Sequence, residues 1–349
     1  METKGKRSMV CLVVLLGILS MTALAGNKQR IGAAGAQELL IPVGARGTAF
    51  AGSNLAITSG VEAIYWNPAG LSRLEHGVEA MVSHMQYIAD LNVEYGALGV
   101  QAGEFGSLGF TVKTVSFGDI PVTTEAFPDG TGEIYSPTFL NLGVTYSKLL
   151  TDRISAGVTA TLISEKILST SATGFAFNVG VQYFNLGVTG LDLGVAIKNV
   201  GPNMAFDGAN LLRTATGQSD ARGAQLFKVQ AATFELPSAM EIGVAYNRKF
   251  DDRNSAVIAG NFKNNNSQDD EYSVGAEYNF NNLFFIRGGY AFSPQVDKDP
   301  TGERGYIYDY AVGAGIHYDV GGVDLTFDYT FRHVKFFDSN NIVTVKIGF

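Results

Sequence analysis

The chain has 349 residues, 46% of them hydrophobic and only 17% charged, with 42 glycines, 23 phenylalanines and 15 tyrosines against 9 prolines, and a formal net charge of −8. No basic cluster follows residue 26, which excludes a nucleic-acid binder. The single cysteine, Cys11, lies within the first 25 residues, so the rest of the chain has no residue for a disulfide, a cysteine–zinc site or a cysteine nucleophile.

Residues 1–25 read as a secretory signal peptide. Lys4, Lys6 and Arg7 form a positive start, Met9 to Leu19 an apolar run too short to span a membrane, and Ala23-Leu24-Ala25 a cleavage site before Gly26. The chain remaining after its removal carries a net charge of about −10.

Residues 26–75 show no period of two. Gly44, Gly47 and Gly52 punctuate small residues, which permits close backbone approach, and Arg46 is a lone cation between two of them. In "AIYWNPAGLSRL", 63–74, Asn67-Pro68 followed by Gly70 reads as a turn whose backbone angle Pro68 fixes and Asn67 braces. Ile64, Tyr65 and Leu71 need a wall to pack on.

From residue 76 onward apolar and small or polar residues alternate, the signature of strands with two unlike faces. In 324–332, Leu325, Phe327, Tyr329 and Phe331 oppose Asp324, Thr326, Asp328 and Thr330. The pattern predicts strands at 76–88, 91–102, 105–117, 138–149, 153–167, 171–184, 190–199, 226–249, 253–262, 270–280, 283–292, 307–320, 323–334 and 341–349. The eighth contains Pro237 and is taken as one long, bent strand, because a single-chain bacterial barrel needs an even number. The connections then sort by end: every long one, 118–137 and 200–225 among them, falls on one side. Short periplasmic turns opposite longer outer loops are the pattern of an outer-membrane barrel. The expectation is an all-β, 14-stranded antiparallel transmembrane β-barrel over 76–349, both termini periplasmic, with 26–75 filling its lumen as a small plug. Arg46 would then clamp that plug to a lumen lined with acids, Asp192, Glu271, Glu277, Asp319, Asp324 and Asp328, for which Arg287 and Arg332 are further candidate partners.

Pro42-Val43-Gly44-Ala45-Arg46, Ala51-Gly52 and Tyr65-Trp66-Asn67-Pro68-Ala69-Gly70-Leu71 together resemble the PorV/PorQ family of outer-membrane proteins, and the NPAG stretch also resembles the N-terminal hatch of FadL-type long-chain fatty-acid transporters. The resemblance is specific over about 39–75. Both groups imply a FadL-like barrel of fourteen strands. The PorV side implies a non-enzymatic component of type IX secretion that contacts the translocon and cargo proteins bearing a C-terminal signal domain. The FadL side implies a transporter for a fatty acid or other hydrophobic molecule, in which Gly44, Arg46, Gly47, Gly52, Asn67, Pro68 and Gly70 form a moving hatch. In the outer loops, Phe127, Met204, Phe206, Leu211 and Leu212 are the candidate contacts for ligand, partner or outer-membrane lipid headgroups.

Nothing points to an enzyme, a cofactor or a metal. His76, His84, His317 and His333 are scattered on or beside strands, with no His-x-x-x-His pair, Gly-x-Ser-x-Gly or phosphate loop. The 297–305 stretch "DKDPTGERG" lacks the spacing of a calcium loop.

Overall fold

The computed structural model describes residues 30–216, 224–294 and 306–349; the signal peptide expected at 1–25 and the 297–305 stretch lie outside the described residues. The barrel strands are β1 (Val78–Gln86), β2 (Asn92–Gln101), β3 (Ser107–Ser116), β4 (Thr138–Thr151), β5 (Ile154–Ile167), β6 (Thr170–Tyr183), β7 (Leu191–Val200), β8 (Ala239–Lys249), β9 (Asn254–Asn265), β10 (Glu271–Phe280), β11 (Phe284–Phe292), β12 (Tyr308–Val320), β13 (Val323–Val334) and β14 (Asn340–Gly348). Each pairs antiparallel with the next, and β14 returns to β1 with Glu79 opposite Gly348 and Gln86 opposite Asn341. Closure leaves the barrel sheet without an unpaired edge, which is what an apolar surround requires.

The period of two sets the two faces. On β1, Glu79, Met81, Ser83 and Met85 are buried inward while Val82 is 62% exposed. The outer face is apolar through mid-strand, as at Val144, Phe177, Ile258, Val312 and Phe327. Aromatic rings gather at its two rims, Tyr146, Tyr246 and Tyr278 at one end and Tyr272, Tyr290 and Phe292 at the other. An apolar band between aromatic girdles is the surface of a transmembrane barrel. The connections at the end holding 102–106, 152–153, 250–253 and 321–322 are all short, the longest being 184–190, whereas the opposite end carries 117–137 and 201–238.

Fourteen strands are present, but the eighth differs from the sequence expectation. It begins at Ala239, just after Pro237. Residues Ala224–Lys228 instead pair with Leu212–Thr216 in a separate hairpin of the long loop. Both segments have strand character, and alternation does not reveal which neighbour a strand takes. Proline, lacking a ladder donor, marks the entry to β8 rather than a bend within it.

The N-terminal segment lies inside the lumen. It consists of short helices, α1 (Ala45–Ala49) and α2 (Ala63–Trp66), and 3₁₀ turns at Gln37–Leu40, Gly60–Glu62 and Pro68–Arg73. Phe50, Leu55, Val61 and Leu71 are fully buried. Val61, Ile64 and Leu71 pack on Met81, Tyr95 and Ala97 of β1 and β2, while Phe50, Ala56 and Ile57 pack on Ala245 and Ala259 of β8 and β9. The core of the molecule is this contact between plug and wall.

Candidate functional site

The hatch takes its shape from a few residues. Gly44 holds φ +80° at the start of α1 and Gly52 holds φ +81° after it, left-handed geometry that disfavours a side chain. Gly47 lies where an added methyl would overlap the Trp66 indole, and at Gly70 it would overlap the Thr58 carbonyl. Asn67 is fully buried. Its Nδ2 donates to the carbonyls of Leu55 (3.1 Å) and Val181 (3.3 Å), and its Oδ1 accepts from the Ala69 amide (3.2 Å). Pro68 opens the following 3₁₀ turn, where its missing N–H costs nothing. One asparagine therefore fastens two hatch turns to each other and to β6. Gln182 of the same strand adds donations of 3.0 Å to the carbonyls of Leu55 and Thr58.

Charge holds the opposite side. Arg46 Nε and Nη2 each donate to Glu277 of β10 at 3.1 Å. Arg287 of β11 donates to the same carboxylate at 2.5 Å and also pairs with Asp328 of β13. Glu62 accepts from the Gly47 amide at 2.8 Å; burial pushes its carboxyl above the usual range, with Arg46 pulling the other way. Burial lowers the Arg73 guanidinium to about 10; it stacks 3.8 Å over the Phe184 ring.

Between the hatch and the long-loop end lies a cavity of about 860 Å³. Leu39, Ile41, Tyr65 and Trp66 of the hatch form its floor. Tyr65 and Trp66 meet edge to face at 5.0 Å, and each is tied down, Trp66 Nε1 to the Val43 carbonyl (3.2 Å) and Tyr65 Oη to the Leu39 carbonyl (3.3 Å). One wall is aromatic: Tyr87, Phe117, Phe139 and Tyr308, with Tyr87 and Tyr308 sharing a 2.6 Å hydroxyl contact. The facing wall, from β6 to β10, is polar. Lys198 Nζ sits 3.0 Å from Glu241, which also accepts from Asn261 at 3.2 Å. A buried ion pair of this kind keeps its charge only because both partners are present.

The outer-loop residues are not brought together as expected. Phe127 is 60% exposed and Leu212 opens the projecting hairpin, with Leu211 half-buried beside it. Met204 is a correction. Met204 is 1% exposed and packs with Leu39, Ile163, Ala176 and Leu236, and Phe206 lies against that cluster. Mutual backbone bonds with Phe234 draw this part of the loop inward, so Met204 is part of the interior rather than an outer contact. Sequence reasoning missed Lys198 and Glu241; the signal was there in "LGVAIKNVG", where a lysine takes an inward position of an apolar strand.

No family model matches the sequence, and no curated protein matches it either. Solved structures do match the fold. The P. putida toluene transporter TodX superposes with a TM-score of 0.54 at 14% identity, covering 87% of this chain and 97% of that one. The monoaromatic hydrocarbon channel CymD gives 0.51 at 14% identity, covering 88% and 97%. The Ralstonia pickettii toluene transporter TbuX gives 0.51 at 12% identity, covering 88% and 98%. At these identities the likeness shows the fold alone: a 14-stranded antiparallel barrel with a small helical segment in its lumen.

Proposed function

We propose that the chain is a bacterial outer-membrane channel for small hydrophobic molecules, with both termini periplasmic, residues 26–75 acting as its hatch and 76–349 as its barrel. The observation that carries this reading is the cavity itself. It is of ligand size, floored by hatch aromatics, and sits between the loops and the plug of a barrel whose outer face is apolar. A molecule entering from the loops comes to rest on Tyr65 and Trp66, and onward passage requires the hatch to shift. The Arg46–Glu277 contact is the tie to release, and Gly52 and Gly70 are the points about which the backbone turns. The neighbours named as toluene transporters and hydrocarbon channels share this architecture. The test is uptake of labelled toluene, hexylresorcinol and laurate, each scored separately, by Gram-negative cells that lack their own channel. Uptake above the vector background supports the reading, and uptake equal to background overturns it.

A second reading, participation in type IX secretion through translocon and cargo proteins, rests on the PorV/PorQ-like stretch over 39–75 and on the projecting hairpin, whose Leu226 is 70% exposed. Purification from native outer membranes in gentle detergent tests it: recovery of translocon components or of proteins sharing a C-terminal domain favours secretion, and a barrel recovered without them removes it.

A further inference from the structure

We infer that the cavity is built for a neutral, hydroxylated aromatic molecule rather than for a plain hydrocarbon or a charged amphiphile. The inference rests on the channel reading and narrows it to a substrate class.

The cavity has two unlike walls. The aromatic wall, with Tyr87, Phe117, Phe139 and Tyr308, comes from strands on either side of the β14–β1 seam. The polar wall comes from four consecutive strands opposite, β6 to β9, and presents Asn178, Lys198, Asn199, Glu241, Asn261 and Lys263. A hydrocarbon filling this space strips water from the amides and the Lys198–Glu241 pair and returns nothing for it. A molecule with hydroxyl groups on one side and a ring on the other satisfies both walls.

Charge narrows the class further. Among the described residues the lining holds five acidic side chains against three basic ones, which repels an anion. Each of the three cations already has protein groups beside it. Lys198 is paired with Glu241, Lys263 lies opposite Glu271 in the β9–β10 register, and Arg332 donates to Asn340 at 2.7 and 3.1 Å. A cationic ligand meets a different obstacle. The ring faces that would receive it already carry protein cations, Lys198 over Tyr65 and Trp66 at 5.5 and 5.6 Å, and Arg332 over Tyr308 at 4.0 Å. What remains for recognition is ring surface and neutral hydrogen-bonding groups.

The chain supplies its own reporter, since Trp66 is its only tryptophan and lies on the cavity floor. The experiment titrates the full-length protein in detergent with hexylbenzene, hexylresorcinol, hexylbenzoate and hexylbenzylamine. These probes share a ring and tail and differ only in their polar groups. Binding is read by Trp66 emission and checked by calorimetry. Two new neutral hydrogen bonds predict hexylresorcinol at least about tenfold tighter than the other three. The double variant Asn178→Leu/Asn261→Leu, which removes two neutral amides of the polar wall and leaves the Lys198–Glu241 pair in place, is expected to erase that preference. If that variant does not fold, the wild-type series alone decides. Hexylbenzene binding as tightly as hexylresorcinol overturns the inference and leaves the hydrocarbon channel standing. Tightest binding of the benzoate or the benzylamine overturns it in favour of a charged ligand. If none of the four binds by either readout, the inference and the channel reading fall together.

Discussion

Arg46 and Asn67 hold the hatch by different means, and their loss should differ in kind. Arg46 forms two bonds to a carboxylate whose side chain is only 6% exposed, so Arg46→Ala leaves Glu277 with Arg287 as its partner and a solvated gap where the guanidinium was. Breaking a buried pair by removing one member costs about 3–5 kcal/mol; Arg287 offsets part of this, and a loss near the lower figure is expected in a denaturant titration. The same variant should raise leakage of a small polar solute through protein in planar bilayers, because the tie between hatch and β10 is gone. Unchanged conductance would mean that the hatch does not depend on Arg46. Asn67→Ala removes three hydrogen bonds, but Gln182 still serves the Leu55 carbonyl. About 2 kcal/mol of stability should be lost, with little change in leakage if the Arg46 side stays fastened. Arg46 stands out in the sequence as a lone cation between glycines. Its acceptor does not, because the lumen offers several acids and only strand register brings Glu277 to it.

At the scale of elements, the fit of hatch to wall is governed by glycines that face inward from the strands. At Gly157 of β5 an added methyl would overlap the Pro68 carbonyl, and at Gly194 of β7 it would come within 2.7 Å of the Leu55 carbonyl. These contacts are backbone on backbone, so no side chain can swing aside to relieve them. Gly157→Ala should therefore displace the Pro68–Arg73 turn from β5 and lower the unfolding midpoint by the equivalent of about 1–3 kcal/mol. By contrast, at Gly260 of β9 the nearest atom to an added methyl is 3.8 Å away, and Gly260→Ala should be nearly silent. Equal effects at the two sites, measured by thermal melts in the same detergent, would mean that hatch contact is not what Gly157 serves. These glycines were visible in the sequence as members of the small face of each alternating strand, yet not as the track of a hatch. Alternation reports which face a residue takes and is silent about what crosses that face. The same limit explains β8. Residues 224–228 have strand character and do form a strand, but their partner is Leu212–Thr216 rather than the barrel. The fourteen strands were legible because each repeats one rule, inward small or polar and outward apolar. The burial of Met204 was not, because a long loop that folds back into the barrel carries no periodic mark.

At the scale of the whole molecule, the outer surface states what surrounds it, and that statement can be tested by depth. Charged side chains do occur on the outer face, but toward the strand ends. His84 and Glu94 pair near the loop end of β1 and β2, and Lys148 and Lys166 lie near opposite ends of β4 and β5. Between them the face is apolar, and Val144, at the middle of β4, is 53% exposed. In water this arrangement would leave a belt of unshielded apolar surface around the whole barrel, far larger than the few hundred Å² that soluble proteins tolerate. In lipid the belt is the matching solvent, and the cost of a charge depends on its distance from the midplane. Val144→Arg should therefore lower the free energy of folding into bilayers by about 2–4 kcal/mol, while Leu140→Arg, four residues nearer the loop end of the same strand, should cost about 0–1 kcal/mol. Urea titrations of refolding into lipid vesicles, read by the shift in gel mobility between folded and heated protein, measure both. A barrel whose outer face does not lie in lipid would show no such gradient, since arginine at either site would then be solvated. The gradient is thus a measurement of where the molecule sits that requires no knowledge of its ligand.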